Sequence, residues 1–373
     1  MPATIDDTAI KMLLARARRE VDDGLLPSVQ VALAFQGEII ANETFGATDE
    51  RRYIVYSSTK AFIAGAIWSL IGDGLVDVSK RVVDVIPEFG THGKDVITIE
   101  QVMLHTSGFP HAPMRRELGA TAASRVKRFT DWTLNWDPGS SYEYHPTSAH
   151  WVLAEIIERI TGQDYRDVVE QRVTGPAGLP RVLGLSVSAQ AIYPTADLTL
   201  VGEAATREEL RAAFGVDSLP VTEVTPEAVL EIGAPKAIAI GVPGGGGFMR
   251  ASDLALYYQA MLHNPGEMWR PDVLADSTGN VRNHLPERNT GVPANRALGV
   301  VVAGDDGKSN IRGFGRTVSP RAFGHNGAYG QIAWADPTTG LSLGYCTNGI
   351  DLNETRHPRR TTAIGSLAAV CAI

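Results

Sequence analysis

The chain is poor in cysteine, in lysine and in long apolar runs, and each shortage excludes something. Cys346 and Cys371 are the only cysteines in 373 residues. Two thiols cannot build a disulfide framework, and both are expected to be reduced. No apolar run reaches the ~18 residues that a membrane span needs. Met1 to Asp23 carries acidic residues and no uninterrupted apolar stretch, so it does not read as a secretory signal, and a cytoplasmic location is expected. Lys+Arg number 34 against 42 Asp+Glu, a net charge of −8. A nucleic-acid partner would call for a basic excess or stripe, and there is none. Gly-x-x-x-x-Gly-Lys-Ser/Thr and Gly-x-Gly-x-x-Gly are missing, so the Gly244 to Gly247 run is no recognisable phosphate cradle. The Gly-x-Ser-x-Gly elbow is missing too, since Gly184-Leu-Ser-Val-Ser188 lacks its last glycine. The nine histidines show no His-Glu-x-x-His spacing, and His145 and His150, five apart, do not share a helix face. Neither a catalytic metal nor a cofactor is expected.

What is present is a globular composition, with 44% hydrophobic and 20% charged residues, enough to bury a sizeable core. The length fits two or three domains, or one large domain with an insertion. Apolar spacing predicts an opening helix over Thr8 to Asp23, then strands over Ser28 to Phe35 and Glu38 to Phe45 joined at Gln36-Gly37. A strongly apolar helix is predicted from Lys60 to Leu75, closed by glycines. Thr98-Ile-Glu-Gln101 matches a capping box. Helices also read from Trp151 to Ile160, from Asp164 onward, from a Ser252 cap to Leu262, and from about Thr361 to Ala369. Strands return over Leu298 to Ala303, Gln331 to Ala335 and Leu341 to Thr347, the last two joined by the turn Asp336-Pro-Thr-Thr-Gly340. Sheet-forming pieces thus sit at both chain ends. The expected architecture is an α/β domain from residues 1–81 and 234–373, with a mostly helical part over 82–233.

One chemical pattern survives, Ser-x-x-Lys, and it occurs twice although the chain has only seven lysines. Ser57-Ser-Thr-Lys60 follows a β-type stretch, Tyr53 to Tyr56, and opens the long apolar helix. Both side chains then share one helical face, one turn apart. A buried helix start offers oriented N–H groups to a developing anion, and desolvation lowers the lysine toward a usable base. Ser124-Arg-Val-Lys127 lies in a polar, basic stretch and reads as solvated surface. The bland alternative for Ser57 is an ordinary N-cap with Lys60 reaching to solvent.

Ser57-Ser-Thr-Lys60 within Val-Tyr-Ser-Ser-Thr-Lys-Ala-Phe resembles the first motif of the serine β-lactamases and penicillin-binding proteins. Further stretches are similar, in order, to the class C β-lactamase branch and its esterase members of the family VIII carboxylesterase type. They are Ile97 to Pro110, with His-Thr-Ser-Gly; Asp137-Pro-Gly-Ser-Ser-Tyr-Glu-Tyr144; Gly244 to Ala255; and Phe323-Gly-His-Asn-Gly-Ala328. The resemblance implies a β-lactamase-like fold, an antiparallel sheet flanked by helices, with the active site in a cleft against the helical part. It makes Ser57 the acylated nucleophile and Lys60 its base partner. Tyr144 becomes the proton-shuttling tyrosine with a pKa depressed by Lys60, and Tyr142 is its competitor two residues away. Ser57 N–H and Ala328 N–H would form the oxyanion hole, with His325 and Gly327 in the substrate-binding third motif.

Two departures narrow the expected activity. Where lactamases carry Tyr-x-Asn, this chain has Tyr144-His145-Pro146, and where they carry Lys-Thr-Gly it has His325-Asn-Gly327. Both point to an esterase with weak or no β-lactamase activity, acting on a small-molecule ester. Acyl transfer or amide hydrolysis on the same site is the nearer alternative, and a non-catalytic acyl-binding protein of the same fold the more distant one. His105 and His145 read as structural, and Trp132, Trp136, Trp334 and Cys346 as packing residues.

Overall fold

The computed structural model describes residues 3–193, 197–219, 224–288 and 290–372. Its strands run in chain order as Val29–Phe35 (β1), Glu38–Phe45 (β2), Tyr53–Ile54 (β3), Thr199–Val201 (β4), Phe248–Met249 (β5), Val301–Val302 (β6), Phe323–Gly324 (β7), Ile332–Asp336 (β8), Leu341–Thr347 (β9) and Gly349–Asp351 (β10). An antiparallel six-stranded sheet has the order β2-β1-β9-β8-β7-β6. β1 pairs with β9 from Val29↔Thr347 to Phe35↔Leu341, so the two ends of the chain meet at the middle of one sheet.

Alternation along the strands sends two residue sets to two covered faces. Val31, Leu33, Trp334, Leu343 and Tyr345 pack with Leu13 and Ala17 of helix Asp7–Asp22 and with Ile364 and Ala368 of helix Arg356–Ala369. Ala32, Ala34, Ala333 and Ala335 face the other way, into a core shared with helices Lys60–Gly72 and Ala251–His263. Small residues on that face let helix Ala251–His263 press close. A Cβ on Gly344 would stand 2.0 Å from the Ala251 carbonyl oxygen.

Several boundaries differ from the sequence pattern, each for a local reason. The strand expected over Leu298 to Ala303 is reduced to Val301–Val302, because Gly299 takes φ +91° against Ala64. The last helix begins at Arg356 rather than Thr361. Its first turn reads as polar, but Arg360 turns inward to Glu20 (2.6 Å) and Asp351 (2.8 Å), and Arg356 also bonds Asp351 (2.6 Å). Ser252 is not a cap. The helix is capped at Arg250, whose N–H donates to the Asp253 carboxylate at 2.9 Å. The Thr98–Gln101 capping box forms as expected.

Among the described residues, 82–233 are mainly helices and loops, with one strand. Helices Ala122–Asp131 and Ser148–Thr161 are tied by buried Arg125, which bonds Glu155 at 3.0 Å. β4 leaves this span to pair in parallel with β10. No helix among the described residues is long and apolar enough to cross a membrane.

Gly344→Ala forces a methyl into the helix–sheet contact, and such overpacking costs about 1–3 kcal/mol. The expected outcome is a matching loss of unfolding free energy in urea denaturation. An unchanged midpoint would mean that this contact is loose.

Candidate active site

The local geometry of Ser57 begins at β3, whose partner is β5. Val55 N–H continues the pairing onto Gly247 O at 2.9 Å. The chain then turns sharply at Tyr56, which has φ 44° and ψ −129°, and enters a 3-10 turn over Ser57–Thr59 that runs into helix Lys60–Gly72. A large residue at positive φ is strained, and surrounding structure must hold it. Thr59 provides that hold. Its hydroxyl donates to Tyr56 O at 2.5 Å and accepts from Gly247 N–H at 2.8 Å. The four-glycine run therefore has a mechanical role, since a Cβ on Gly247 would stand 2.6 Å from Thr59 Oγ1.

Lys60 is fully buried, and its Nζ lies 3.1 Å from Ser57 Oγ. The same nitrogen donates to Pro146 O at 2.8 Å and to Gly244 O at 2.5 Å. Burial first, and the Arg296 charge second, hold this amine well below the usual lysine range. A neutral amine has two N–H bonds and one lone pair. The two carbonyls take the N–H bonds, which leaves the lone pair for the Ser57 hydroxyl proton.

Tyr144, not Tyr142, stands beside this pair. The Tyr144 ring centre is 5.2 Å from Lys60 Nζ, between His105 at 4.8 Å and His325 at 5.9 Å. Its buried hydroxyl closes no hydrogen bond among the described residues. Tyr142 sits behind it, with its hydroxyl accepting from Arg296 Nε at 3.0 Å. The expected depression of the Tyr144 pKa is not found. Burial raises it, outweighing the Arg296 charge and the nearby Ser57 hydroxyl that favour the phenolate. Burial thus favours the neutral form of both side chains, the phenol and the amine.

The third-motif residues lie against the same turn. Gly327 packs so closely on Val55 that a Cβ would stand 2.2 Å from Val55 O, and its N–H donates to Gln331 O at 3.0 Å. Ala328 opens a 3-10 turn, Ala328–Gly330, with Tyr329 at φ 53°. Neither Ser57 N–H nor Ala328 N–H meets an acceptor among the described residues. His325 is buried, with Nδ1 3.0 Å from Asn326 O and Nε2 unpartnered. Burial first, and the Arg296 charge second, hold it well below the usual histidine range, so it is an uncharged ring at neutral pH.

His105 and His145 hold backbone. His105 Nδ1 accepts from His145 N–H at 3.1 Å, while His145 Nε2 meets Phe109 N–H (3.2 Å) and Ser107 Oγ (3.1 Å). Burial takes His145 down to about 3. Trp132 and Trp334 are core residues and Trp136 is half-buried. Ser124 bonds Thr121 at a helix start with Lys127 exposed, away from this group. Sequence reasoning missed His150 and Arg296. His150 is buried near Gly244 with both ring nitrogens unpartnered among the described residues, and Arg296 comes from a loop whose sequence carries no motif. Among the described residues no group of three His, Cys, Asp or Glu side chains is placed to hold a metal.

A family model described as Beta-lactamase matches residues 14–367. The chain is 27% identical over 327 residues to the Esterase/beta-lactamase LipL of Mycobacterium tuberculosis, covering 79% of this chain and 68% of that protein. It is 25% identical over 334 residues to a candidate D-alanyl-D-alanine carboxypeptidase of Escherichia coli K12, covering 85% and 73%. A solved family VIII carboxylesterase superposes with a TM-score of 0.77 at 22% identity over 99% of each chain, a likeness of fold. The family match spans almost the whole length, and the chain belongs to the beta-lactamase family as a serine hydrolase of the β-lactamase-like fold.

Proposed function

We propose that the protein cleaves carboxylic esters of small, uncharged substrates through an acyl-enzyme on Ser57. The observation that carries this is the place of Lys60 Nζ, bonded to the Pro146 and Gly244 carbonyls and 3.1 Å from Ser57 Oγ, where a neutral amine has its lone pair free for the Ser57 proton. Ser57 Oγ attacks the ester carbonyl carbon as its proton passes to Lys60 Nζ. The carbonyl oxygen becomes an oxyanion facing Ser57 N–H and Ala328 N–H. Collapse breaks the bond to the alcohol oxygen, which takes a proton from Tyr144 as Lys60 returns one to the phenolate. Water then attacks the acyl carbon, gives its proton back through the same groups, and releases the acid. The division into residues 1–81 with 234–373 and residues 82–233, the site lying between them, belongs to the same proposal.

Ester chemistry is favoured by what the site lacks. An uncharged His325 stands where lactamases have a lysine for a substrate carboxylate, and Pro146 offers no side-chain amide. The names of the mycobacterial relative and of the solved carboxylesterase agree with this reading. The second reading, amide hydrolysis on the same acyl-enzyme, rests on the name of the Escherichia coli relative.

Three outcomes are expected. Ser57→Ala removes turnover of a p-nitrophenyl ester by several orders of magnitude, because nucleophile and base act as a unit. Ser124→Ala keeps it, and a serine-directed phosphonate labels Ser57 stoichiometrically; label on Ser124 would end the assignment.

The pH profile follows from the amine. Because the Lys60 pKa is depressed, kcat/KM is kept at pH values well below the usual lysine range and falls as pH drops through that lowered value. Lys60→Arg keeps a cation that cannot act as a base, so it is as harmful as Lys60→Ala. Substantial activity in the Arg variant would leave Lys60 a structural cation.

On substrate choice, losing both polar contacts costs an anionic, amide-bearing substrate a few kcal/mol, about a hundredfold in rate. A neutral p-nitrophenyl ester is therefore expected to exceed a chromogenic cephalosporin in kcat/KM by at least about that factor. Equal efficiencies would favour the amide-cleaving reading.

A further inference from the structure

Arg296 is the one strongly basic side chain of the site that the proposed reaction does not use. It is 5% exposed, and its guanidinium carbon lies 5.2 Å from the Tyr144 ring centre and 5.7 Å from that of Tyr142. Nε donates to the Tyr142 hydroxyl, whereas Nη1 is buried with no partner among the described residues. Among the described residues no carboxylate forms an ion pair with it. Unpaired buried cations are costly, and most are neutralised or paired. Of the other arginines buried as deeply, Arg125 pairs with Glu155 and Arg360 with Glu20 and Asp351, whereas Arg52 donates to the Arg181 carbonyl and stacks on Tyr193. Guanidinium, unlike an ammonium, cannot shed its proton to escape the cost.

The surroundings show what the charge acts on. Tyr144 and Tyr142 face Arg296 from the loop after Pro138, and Glu287 and Arg312 line the small cavity on its far side. Arg312 is engaged by Asp306. Around Lys60 and Tyr144 stand Ser57, His105, His150 and His325, and no acidic group is among them. We propose that Arg296 is a positioning residue whose unpaired guanidinium sets the protonation of the Ser57, Lys60 and Tyr144 group by charge alone, without touching the substrate.

A fixed positive charge opposes a proton on Lys60 and favours loss of one from Tyr144. Both effects point in the direction the reaction needs, and Arg296 is the second cause after burial for Lys60 and the first opposing burial for Tyr144. A guanidinium aimed at a substrate carboxylate is less well supported, because Nη1 is closed off from solvent.

The inference rests on the proposed acyl-enzyme reading but is testable apart from it. Arg296→Gln is compared with Tyr142→Phe, which removes the Nε hydrogen bond and leaves the charge. Folding of both is checked by circular dichroism. The acid-side inflection of kcat/KM for a neutral ester is expected to rise by about one pH unit in Arg296→Gln, a tenfold loss on that limb. The plateau KM should stay put, and in Tyr142→Phe the inflection should not move. Lysine labelled with 13C at Cε gives a second readout that needs no turnover, since the chain has only seven lysines. The Lys60 signal should titrate about one unit higher in Arg296→Gln. If Ser57→Ala keeps its activity, the acyl-enzyme reading fails while this titration still decides the role of Arg296. An unmoved inflection and an unmoved Lys60 signal in folded Arg296→Gln overturn the proposal. So does an equal shift in Tyr142→Phe, which would make the bond rather than the charge responsible. A selective loss of anionic esters at an unchanged pH profile would also overturn it, making Arg296 a carboxylate reader.

Discussion

The site depends on one constraint, a lysine amine enclosed without a counter-ion. Among the described residues no carboxylate pairs with Lys60, and its bonds go to the Pro146 and Gly244 carbonyls. Burial on two neutral acceptors disfavours ammonium relative to amine, which is the form the proposed reaction needs. Three separate stretches of chain must meet at one nitrogen for this to work. Helix Lys60–Gly72 supplies the amine, the loop before helix Ser148–Thr161 supplies one carbonyl, and the glycine run before β5 supplies the other.

Rigid scaffolding explains why these stretches meet. The central pairing of β1 with β9 joins the chain ends, and helix Ala251–His263 lies on the sheet at the close distance that Gly344 permits. That helix starts directly after β5, so the position of the glycine run is set by the sheet beneath it. Pro146 is set differently, through His145. Its backbone N–H is held by His105 and its ring by the Phe109 and Ser107 groups. The two histidines thereby act on the chemistry at one remove, fixing the backbone that carries Tyr144 and the Pro146 carbonyl.

What was legible in the sequence was what is local. Ser57 and Lys60 are three residues apart, Thr98 and Gln101 likewise, and each pair meets through one helical turn. The β1–β2 hairpin could be read from its alternation and its Gln36-Gly37 turn. Tyr144 could be placed only by resemblance, through its offset from Pro138, with Tyr142 as its competitor. Arg296, His150 and the two carbonyls were illegible for a physical reason. A backbone carbonyl has no residue signature, and Arg296 reaches the site only because its loop folds back against Tyr142. The expected depression of Tyr144 failed because it assumed a charged Lys60. Desolvation is the largest influence on both groups, lowering the lysine and raising the phenol.

The central claim, that Lys60 rests as a free amine, is a statement about hydrogen atoms. Neutron diffraction from deuterium-exchanged crystals at pH 7 measures them directly. Two deuterons on Lys60 Nζ are expected, directed at the Pro146 and Gly244 oxygens, with the Ser57 deuteron pointing at the nitrogen. Three deuterons on Nζ, one of them directed at Ser57 Oγ, would contradict the account.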